Sequence, residues 1–395
     1  MKKLSVSSAS SAVSSLARQL LRRCDELGRV SEEHGCLTRT FASSAMKRAN
    51  RLVGSWMRAA GMSVREDAAF NLIGRVPSAE RGAKTLIIGS HLDTVRNAGK
   101  YDGPLGVLLG IAAVECLRGE RLPFHLEVVG FSDEEGVKYQ TTYLGSRAMC
   151  GLLTAKDLSR IREKGLARAK RPKRELLAYL EAHIEQGPVL EQVGAPVGVV
   201  SAIAGQTRIR AAFTGRAAHA GTTPMNLRQD ALAGSAELIL AAERAGVMAT
   251  VGQCQVEGAA SNVVPGKVTF TLDVRDEKDT KRRSAVAKLR AFATKVAKHR
   301  GLKLSWDIVQ ETQTAAMDKK LAAVVRQAAG RAPVLPSGAG HDAAVMAKVC
   351  PAAMLFVRCQ EGISHHPDES VDQRDVAVAL DVLTRTVFAL ARKHG

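Results

Sequence analysis

Apolar and polar positions along the chain follow two different periods, one typical of helices and one typical of strands. Residues 13–60 carry apolar side chains at helical spacing and predict a helical start. A helix is predicted at 105–117, directly after Pro104, which suits a first helical turn. Short apolar runs predict buried strands at residues 71–76, 85–89 and 124–131. This part of the chain therefore has an α/β pattern.

Residues 179–185 alternate with a period of two, which predicts a further strand. Glu181, His183 and Glu185 share one face of that strand. Towards the C-terminus the α/β pattern returns, with a helix at 322–329, a loop at 337–342, a helix at 343–349, a strand at 353–358 and a helix at 376–392. The beginning and the end of the chain thus belong to one architecture.

The middle of the chain has another pattern, strand-helix-strand-strand-helix-strand. These six elements are predicted at residues 207–213, 226–245, 250–257, 267–274, 280–299 and 303–310. The βαββαβ order is that of a ferredoxin-like domain. We therefore predict a first domain made of residues 1–206 and 315–395, into which a second domain of residues 207–314 is inserted.

The composition agrees with two domains inside a cell. A chain of 395 residues exceeds what one hydrophobic core usually supports. Seven cysteines without a Cys-x-x-Cys pair suit a reducing compartment, so a cytoplasmic location is expected. No apolar run reaches the roughly 20 residues of a membrane span. The serine-rich residues before Val13 lack the apolar stretch of a signal peptide, and we expect a loose tail there.

The charge is strongly basic, with a formal net charge of +18. Nucleic-acid binding is not expected, because aromatic residues make up only 4% of the chain and no known nucleic-acid-binding motif is present. A small anionic substrate is consistent with the same positive field.

Histidines and carboxylates follow or end the predicted strands. They are His91, Asp102, Glu134, Glu135, His183 and either His365 or His366. Side chains at the carboxyl ends of strands in an α/β sheet converge on the usual place for a ligand. Imidazole and carboxylate groups without thiolates suit zinc or manganese, and their number suits a pair of ions.

Seven motifs carry a resemblance to a known family. They are GSHLDTV, YDGPLGV, FSDEEGV, HIEQGPVLE, AHAGTTPM, SGAGHDA and EGISHHPDE, in this order. Together they resemble the amidase/hydantoinase/carbamoylase family of dinuclear-metal amidohydrolases. The resemblance implies a metallopeptidase-like catalytic domain with a mixed sheet, and it implies that the inserted domain acts as a lid or in dimerisation.

The resemblance also implies roles for the metal-site residues, position by position. One of the two divalent ions in each subunit would be held by His91, Asp102 and His183. The other would be held by Asp102, Glu135 and His365, so that Asp102 bridges the pair. Glu134 would be the general base, because it stands beside a ligand without being one.

Further residues are expected to support the ligands or bind substrate. Asp93 is placed to orient His91, and His341 is expected near the ligands or the substrate. Arg275 points away from the core of its own domain, and its guanidinium suits a substrate carboxylate. The resemblance adds the candidate substrate contacts Gln206, His219 and Asn262, with His219 and Asn262 stabilising an oxyanion.

The implied activity is hydrolysis of the carbamoyl C–N bond of a linear ureido acid. Allantoate is the expected substrate, and N-carbamoyl-L-amino acids or β-ureidopropionate are the alternatives. A homodimer is expected, in which His219, Asn262 or Arg275 acts across subunits. An alternative of another class is a non-catalytic binding protein on the same scaffold, but Glu134 would have no use in a binder.

Overall fold

The computed structural model of the protein describes residues 6–395, with side chains described from residue 13 onwards. The chain divides into two compact units. The first unit runs to Ser201 and resumes at Ala316, and the second unit comprises Ala202–Ala315.

The helices and strands of both units have the following bounds. The helices are α1 (Val6–Gly28), α2 (Ser44–Ala59), α3 (Pro104–Cys116), α4 (Leu144–Cys150), α5 (Ala155–Arg160), α6 (Val189–Gln192), α7 (Ala231–Glu243), α8 (Asp279–Arg300), α9 (Lys319–Ala329), α10 (Ala343–Met346) and α11 (Gln373–His394). The strands are β1 (Ser63–Glu66), β2 (Leu72–Val76), β3 (Thr85–His91), β4 (His125–Phe131), β5 (Leu176–Ile184), β6 (Val197–Ile203), β7 (Gly205–Thr214), β8 (Ala218–His219), β9 (Met248–Glu257), β10 (Val263–Val264), β11 (Lys267–Asp276), β12 (Lys303–Thr312), β13 (Ala315–Ala316), β14 (Val334–Ser337) and β15 (Ala352–Val357).

The first unit is built on a mixed sheet, as the sequence predicts. Within the described residues the strand order is β1-β2-β4-β3-β5-β15-β6-β13, with β14 pairing β6. Strand β3 is parallel to β4 and β5, and β15 is parallel to β5. Strand β2 runs antiparallel to β4, and β6 runs antiparallel to β15. The carboxyl ends of β4, β3, β5 and β15 consequently lie at one edge of the sheet.

Helix α3 fixes the loop that precedes it against that sheet. All of its residues from Pro104 to Val114 are buried, because the helix packs on β3 and β5 and is covered by α1 and α11. Gly106 is required for this packing, since a Cβ there would lie 2.0 Å from the carbonyl oxygen of Ala182. The close approach holds the start of α3, and with it Asp102, beside β5.

The second unit has the predicted βαββαβ order. Its sheet has the order β12-β7-β11-β9, and all three pairings are antiparallel. Alternate residues of β11 face the helices and are buried, namely Val268, Phe270, Leu272 and Val274. Asp273 and Arg275 therefore lie on the opposite face of the sheet.

The prediction of a helical segment at 13–60 is wrong in its middle. Helix α1 ends at Gly28, and α2 begins only at Ser44. Ser43 caps the start of α2, because its side chain accepts the backbone N–H of Met46. The intervening segment turns at Gly35, which has φ 79°, and Ser31 bonds the backbone of Thr38 within it. A local apolar period could not show these turns.

Other element boundaries also differ from prediction. Helix α1 begins at Val6, earlier than the loose tail allows, and residues 1–5 of that tail lie outside the described residues. Asp230 caps α7 and delays its start to Ala231. Strands β1, β6, β8, β10, β13 and β14 had no prediction. None of the helices in residues 6–395 combines the length and apolarity needed to cross a bilayer.

Candidate active site

The structure brings the predicted ligand residues of the first unit together at the carboxyl edge of its sheet. His91 ends β3, and His183 lies near the end of β5. Ligand atoms of His91, Asp102 and His183 all lie within 4.8 Å of one another. The same is true of Asp102, Glu135 and His365. Asp102 therefore belongs to both triads.

The two oxygens of Asp102 face different triads. Oδ1 lies 3.2 Å from Nε2 of His183 and 3.9 Å from Nε2 of His91. Oδ2 lies 3.0 Å from Nε2 of His365, which is also 3.2 Å from Oε1 of Glu135. This is the arrangement expected of a carboxylate that is shared by two neighbouring cations.

A buried, unpartnered nitrogen shows that a cation fits the first triad. The Nδ1 atom of His183 lies 3.0 Å from the carbonyl oxygen of Ile184, so we assign its proton to Nδ1. The Nε2 atom then presents a lone pair to Asp102. Within the described part of the chain, this Nε2 is buried and has no hydrogen-bond partner. A metal ion between the two electron-pair donors would satisfy both.

The pKa values reflect crowded charges in a buried place. Although burial disfavours its cation, the carboxylates of Asp93 and Asp102 raise the pKa of His91 to about 9. Hydrogen bonds to Asp102 and Glu135 raise the pKa of His365 to about 10. Burial lowers the pKa of His183. Without metal, the site thus attracts protons to two of its three imidazoles.

Further carboxyl groups are buried near the two triads. Burial raises the pKa of Asp133 and that of Glu181 to about 8, and that of Asp342 to about 7. Both oxygens of Asp133 and Oε1 of Glu181 lack a hydrogen-bond partner among the described residues. Such an excess of buried carboxyl groups favours a site that holds divalent cations. The sequence analysis assigned no role to these three residues.

Asp93 contacts both halves of the site through different atoms. Its backbone carbonyl oxygen lies 3.0 Å from Nδ1 of His91, so the contact that orients this imidazole comes from the backbone and not from the carboxylate. Its carboxylate instead accepts the backbone N–H of Glu134 at 3.1 Å and that of Glu135 at 3.2 Å. Asp93 therefore links the end of β3 to the segment that follows β4.

Glu134 lies beside the ligands and is almost completely buried. It forms a further cluster with His91 and Glu135, whose ligand atoms lie within 4.8 Å of one another. Burial, together with the charges of Glu135 and Asp342, raises the pKa of Glu134 well above its usual value. The side chain is thus within reach of a molecule bound at the triads.

The two other candidate histidines of the first unit, His341 and His366, occupy distinct places. His341 is buried, with Nε2 2.9 Å from Oγ of Ser337 and its ring centroid 4.4 Å from that of His183. His341 therefore packs against the ring of His183. His366 is exposed and lies 3.4 Å from Asp368, whereas His365 belongs to the second triad. The geometry favours His365 over His366 as the ligand.

Two predicted substrate contacts of the second unit meet at a carboxylate that the sequence analysis did not select. Nε and an Nη of Arg275 donate to Asp273 at 3.0 and 2.9 Å. Nε2 of Gln206 donates to the same carboxylate at 2.6 Å. Asp273 holds both donors at one place on the sheet face. Its position two residues before Arg275, on the same face of the strand, is the signal that could have identified it.

The other two predicted contacts of this unit are neighbours as well. The carbonyl oxygen of Asn262 accepts the backbone N–H of Ala220, next to His219. Nδ1 of His219 accepts the backbone N–H of Gly221 at 3.1 Å, so in the neutral ring Nε2 carries the proton. Both His219 and Asn262 are exposed. His219 therefore presents a hydrogen-bond donor to its surroundings.

A mixed α/β sheet with paired histidine and carboxylate triads at its carboxyl edge is the architecture of a metallopeptidase-like hydrolase. Residues 87–389 match the model of peptidase family M20/M25/M40, and the chain belongs to that family. The resemblance to hydantoinase/carbamoylase amidases is confirmed as well. An amidase of that description from Burkholderia multivorans has a similar structure, with a TM-score of 0.90, 31% identity, and coverage of 95% of this chain and 98% of the other.

Two relatives indicate the reaction class. An N-carbamoyl-L-amino acid amidohydrolase of Geobacillus stearothermophilus is 40% identical over 95% of this chain and 98% of its own. An allantoate deiminase of Arabidopsis thaliana is 38% identical over 92% of this chain and 80% of its own. The chain is accordingly a hydrolase of C–N bonds. This confirms the prediction of an enzyme over the non-catalytic alternative.

Proposed function

We propose that the protein hydrolyses the carbamoyl C–N bond of a linear ureido acid, with allantoate as its substrate. The carrying observation is that Asp102 faces two separate ligand triads through its two oxygens. Relatives that share most of the chain are named for allantoate and for N-carbamoyl-L-amino acids. N-carbamoyl-L-amino acids are the second candidate because the relative named for them is 40% identical.

Two divalent ions fit the residues of the first unit. His91, Asp102 and His183 would hold one ion, and Asp102, Glu135 and His365 the other. Nitrogen and oxygen donors without thiolates suit zinc or manganese. When bound, such a pair supplies Lewis-acid polarisation of the substrate carbonyl and acidifies a water molecule.

Glu134 is the proposed general base. It would accept a proton from the attacking water and deliver that proton to the departing nitrogen. Water oxygen thus bonds to the carbamoyl carbon as the C–N bond breaks, and the released carbamate decomposes to ammonia and carbon dioxide. From allantoate the remaining product is ureidoglycine.

The second unit is proposed to supply the substrate-binding groups. Arg275 would bind the substrate carboxylate, and Asp273 would hold its guanidinium fork in place. Gln206 is the neighbouring candidate contact. His219 and Asn262 would donate hydrogen bonds to the oxygen that becomes negative during the attack.

A homodimer belongs to the same proposal, with His219, Asn262 or Arg275 acting in the site of the other subunit. Mixing two inactive variants tests it. If His219 acts across subunits, an equimolar mixture of Glu134→Gln and His219→Ala chains should regain up to roughly one quarter of wild-type activity, because about half of the dimers are mixed and each mixed dimer has one intact site. No recovery after unfolding and refolding the mixture would place His219 in its own subunit's site.

Product analysis tests the substrate. The enzyme loaded with manganese would be given allantoate, N-carbamoyl-L-amino acids and β-ureidopropionate side by side, with ammonia release as the readout. We expect the highest kcat/KM for allantoate, and Glu134→Gln serves as the inactive control. Faster turnover of a carbamoyl amino acid would move the substrate to the second candidate. No ammonia from any of the three would refute ureido hydrolysis.

A further inference from the structure

Three side chains from two segments, the end of β5 and the loop after β15, close a ring of hydrogen bonds on Asp102. Oε1 of Glu369 accepts the backbone N–H groups of Tyr101 at 2.7 Å and Asp102 at 3.0 Å. Oε2 of Glu369 accepts the Ser364 hydroxyl at 3.1 Å. Nε2 of Gln186 lies 3.1 Å from Ser364 Oγ and 3.2 Å from Asp102 Oδ1. The ring therefore begins at the backbone of Asp102 and ends at its carboxylate.

The Glu369 carboxyl group is a buried part of this arrangement. The Glu369 side chain is buried. Carboxylates are seldom buried unless their oxygens accept hydrogen bonds. A Cβ on Gly99 would lie 2.4 Å from Glu369. The loop before α3 thus packs directly on this carboxyl group, and no larger residue than glycine fits at that point.

The backbone on the other side of the ring is held in an unusual conformation. Gln186 has φ 57° and His365 has φ 58°, both in the left-handed region that residues with side chains seldom adopt. Such conformations persist where surrounding contacts hold them. The hydrogen bonds of Gln186 and Ser364 provide contacts of this kind immediately beside His365.

We propose that Glu369, Ser364 and Gln186 are positioning residues that hold Asp102 and His365 in the geometry needed to bind the second ion. The part of this inference that concerns the ions rests on the proposed function. The hydrogen bonds of the ring are present in the structure whether or not that function is correct. The three side chains join the loop before α3, the end of β5 and the loop after β15. Asp102 belongs to both triads, whereas His365 belongs only to the triad of Asp102, Glu135 and His365. Loss of the ring should therefore disturb two ligands of that triad and one ligand of the triad of His91, Asp102 and His183.

Two substitutions of Glu369 separate hydrogen bonding from mere volume. In Glu369→Gln, the amide oxygen can still accept both backbone N–H groups, and the amide nitrogen can donate to Ser364 Oγ. In Glu369→Leu, a side chain of similar size has no acceptor for either. Glu127→Leu is the matched control, since Glu127 is an equally buried carboxylate of the first unit whose partners are Arg75 and Arg171.

Amide hydrogen exchange of the metal-free proteins tests the ring without any ion. We expect peptides that contain Tyr101 and Asp102 to exchange at least about tenfold faster in Glu369→Leu than in the wild type. Glu369→Gln should keep the wild-type rate there, and Glu127→Leu should not accelerate this segment selectively. Unchanged exchange in Glu369→Leu would overturn the ring.

Manganese titration in competition with a chelator tests the consequence for the ions. In Glu369→Leu one of the two bound ions should lose about 10- to 100-fold in affinity, with a smaller loss for the other. Glu369→Gln should restore most of that loss. Equal losses in Glu369→Leu and Glu127→Leu would overturn the positioning role in favour of general destabilisation. If the wild type binds no ion pair, the proposed function fails, and the exchange result still decides the ring.

Discussion

The backbone carbonyl of Asp93 lies 3.0 Å from Nδ1 of His91, while the carboxylate of the same aspartate accepts the N–H groups of Glu134 and Glu135. One residue thus orients a proposed ligand and positions the backbone of the proposed base. Metal-ligating histidines commonly need such a partner on the nitrogen that does not bind metal. Here the backbone provides it, which leaves the carboxylate for the other segment.

Asp93→Ala should weaken metal binding and turnover together. The change removes the acceptor of two buried N–H groups, and partners of this kind are worth about 10- to 100-fold in metal affinity. Asp93→Asn should show a smaller effect, because its amide oxygen still accepts one N–H. Competition with a chelator measures the affinity. Wild-type affinity in the alanine variant would mean that the segment after β4 holds its position without Asp93.

Glu134→Gln should abolish turnover while both ions remain bound. General acid-base groups contribute about 10²- to 10⁴-fold to rate, and an amide cannot accept the proton. Metal content by mass spectrometry and kcat from ammonia release would be measured on the same preparation. A variant that keeps its metals and its kcat would remove Glu134 from the role of base.

Arg275→Ala should raise KM by about 10- to 100-fold, because a charged hydrogen bond to a carboxylate is worth about 1.5–3 kcal/mol. The metal content should stay at the wild-type value. Arg208→Ala is the control, since Arg208 contacts the same Asp273 carboxylate, at 3.3 Å, from the neighbouring strand. Equal KM changes in both variants would show that Asp273 needs a cation beside it and that Arg275 has no special role.

Arg39→Met should lower the free energy of unfolding by at least about 2 kcal/mol, because it leaves buried carbonyl groups without a donor. The fully buried guanidinium donates to Leu92 at 2.6 Å, and to Leu27 and Val30 at 3.1 Å each. Urea denaturation monitored by circular dichroism measures the loss. Arg48→Met removes an exposed donor to the Ser31 carbonyl and should cost much less. An equal loss of unfolding free energy in both variants would show that the buried hydrogen bonds of Arg39 contribute no more to stability than an exposed one.

The sequence predicts the parts of the fold that depend on local patterns and on residue chemistry. Short, mostly apolar runs locate β2, β3 and β4, because a strand that is largely buried on both faces carries apolar side chains on both. The βαββαβ order of the second unit could be predicted because the spacing of apolar residues changes from a strand period to a helix period and back along this part of the chain. Ligand candidates could be found because imidazoles and carboxylates stand where strands end.

Contacts between distant residues could not be predicted in the same way. Arg39 is buried because it donates hydrogen bonds to carbonyl groups of α1 and of the residue that follows β3. The periodicity of the neighbouring residues gives no sign of these distant partners. Glu369 accepts the backbone N–H of Tyr101, which lies 268 positions earlier in the chain. The motif that contains Glu369 could be recognised in the sequence, but it did not reveal this partner. Asp273 was visible on the correct strand face, yet its pairing with Gln206 requires the register of β11 on β7.

Strand β15 occupies an interior place in the larger sheet, between β5 and β6, although it consists of residues 352–357. During synthesis on a ribosome, β5 and β6 emerge long before the strand that separates them, and each must wait with an open hydrogen-bonding edge. The histidine that completes the second triad is made later still. A nascent chain that stalls before β15 is made would expose two unpaired strand edges, and such edges are prone to pair with other chains.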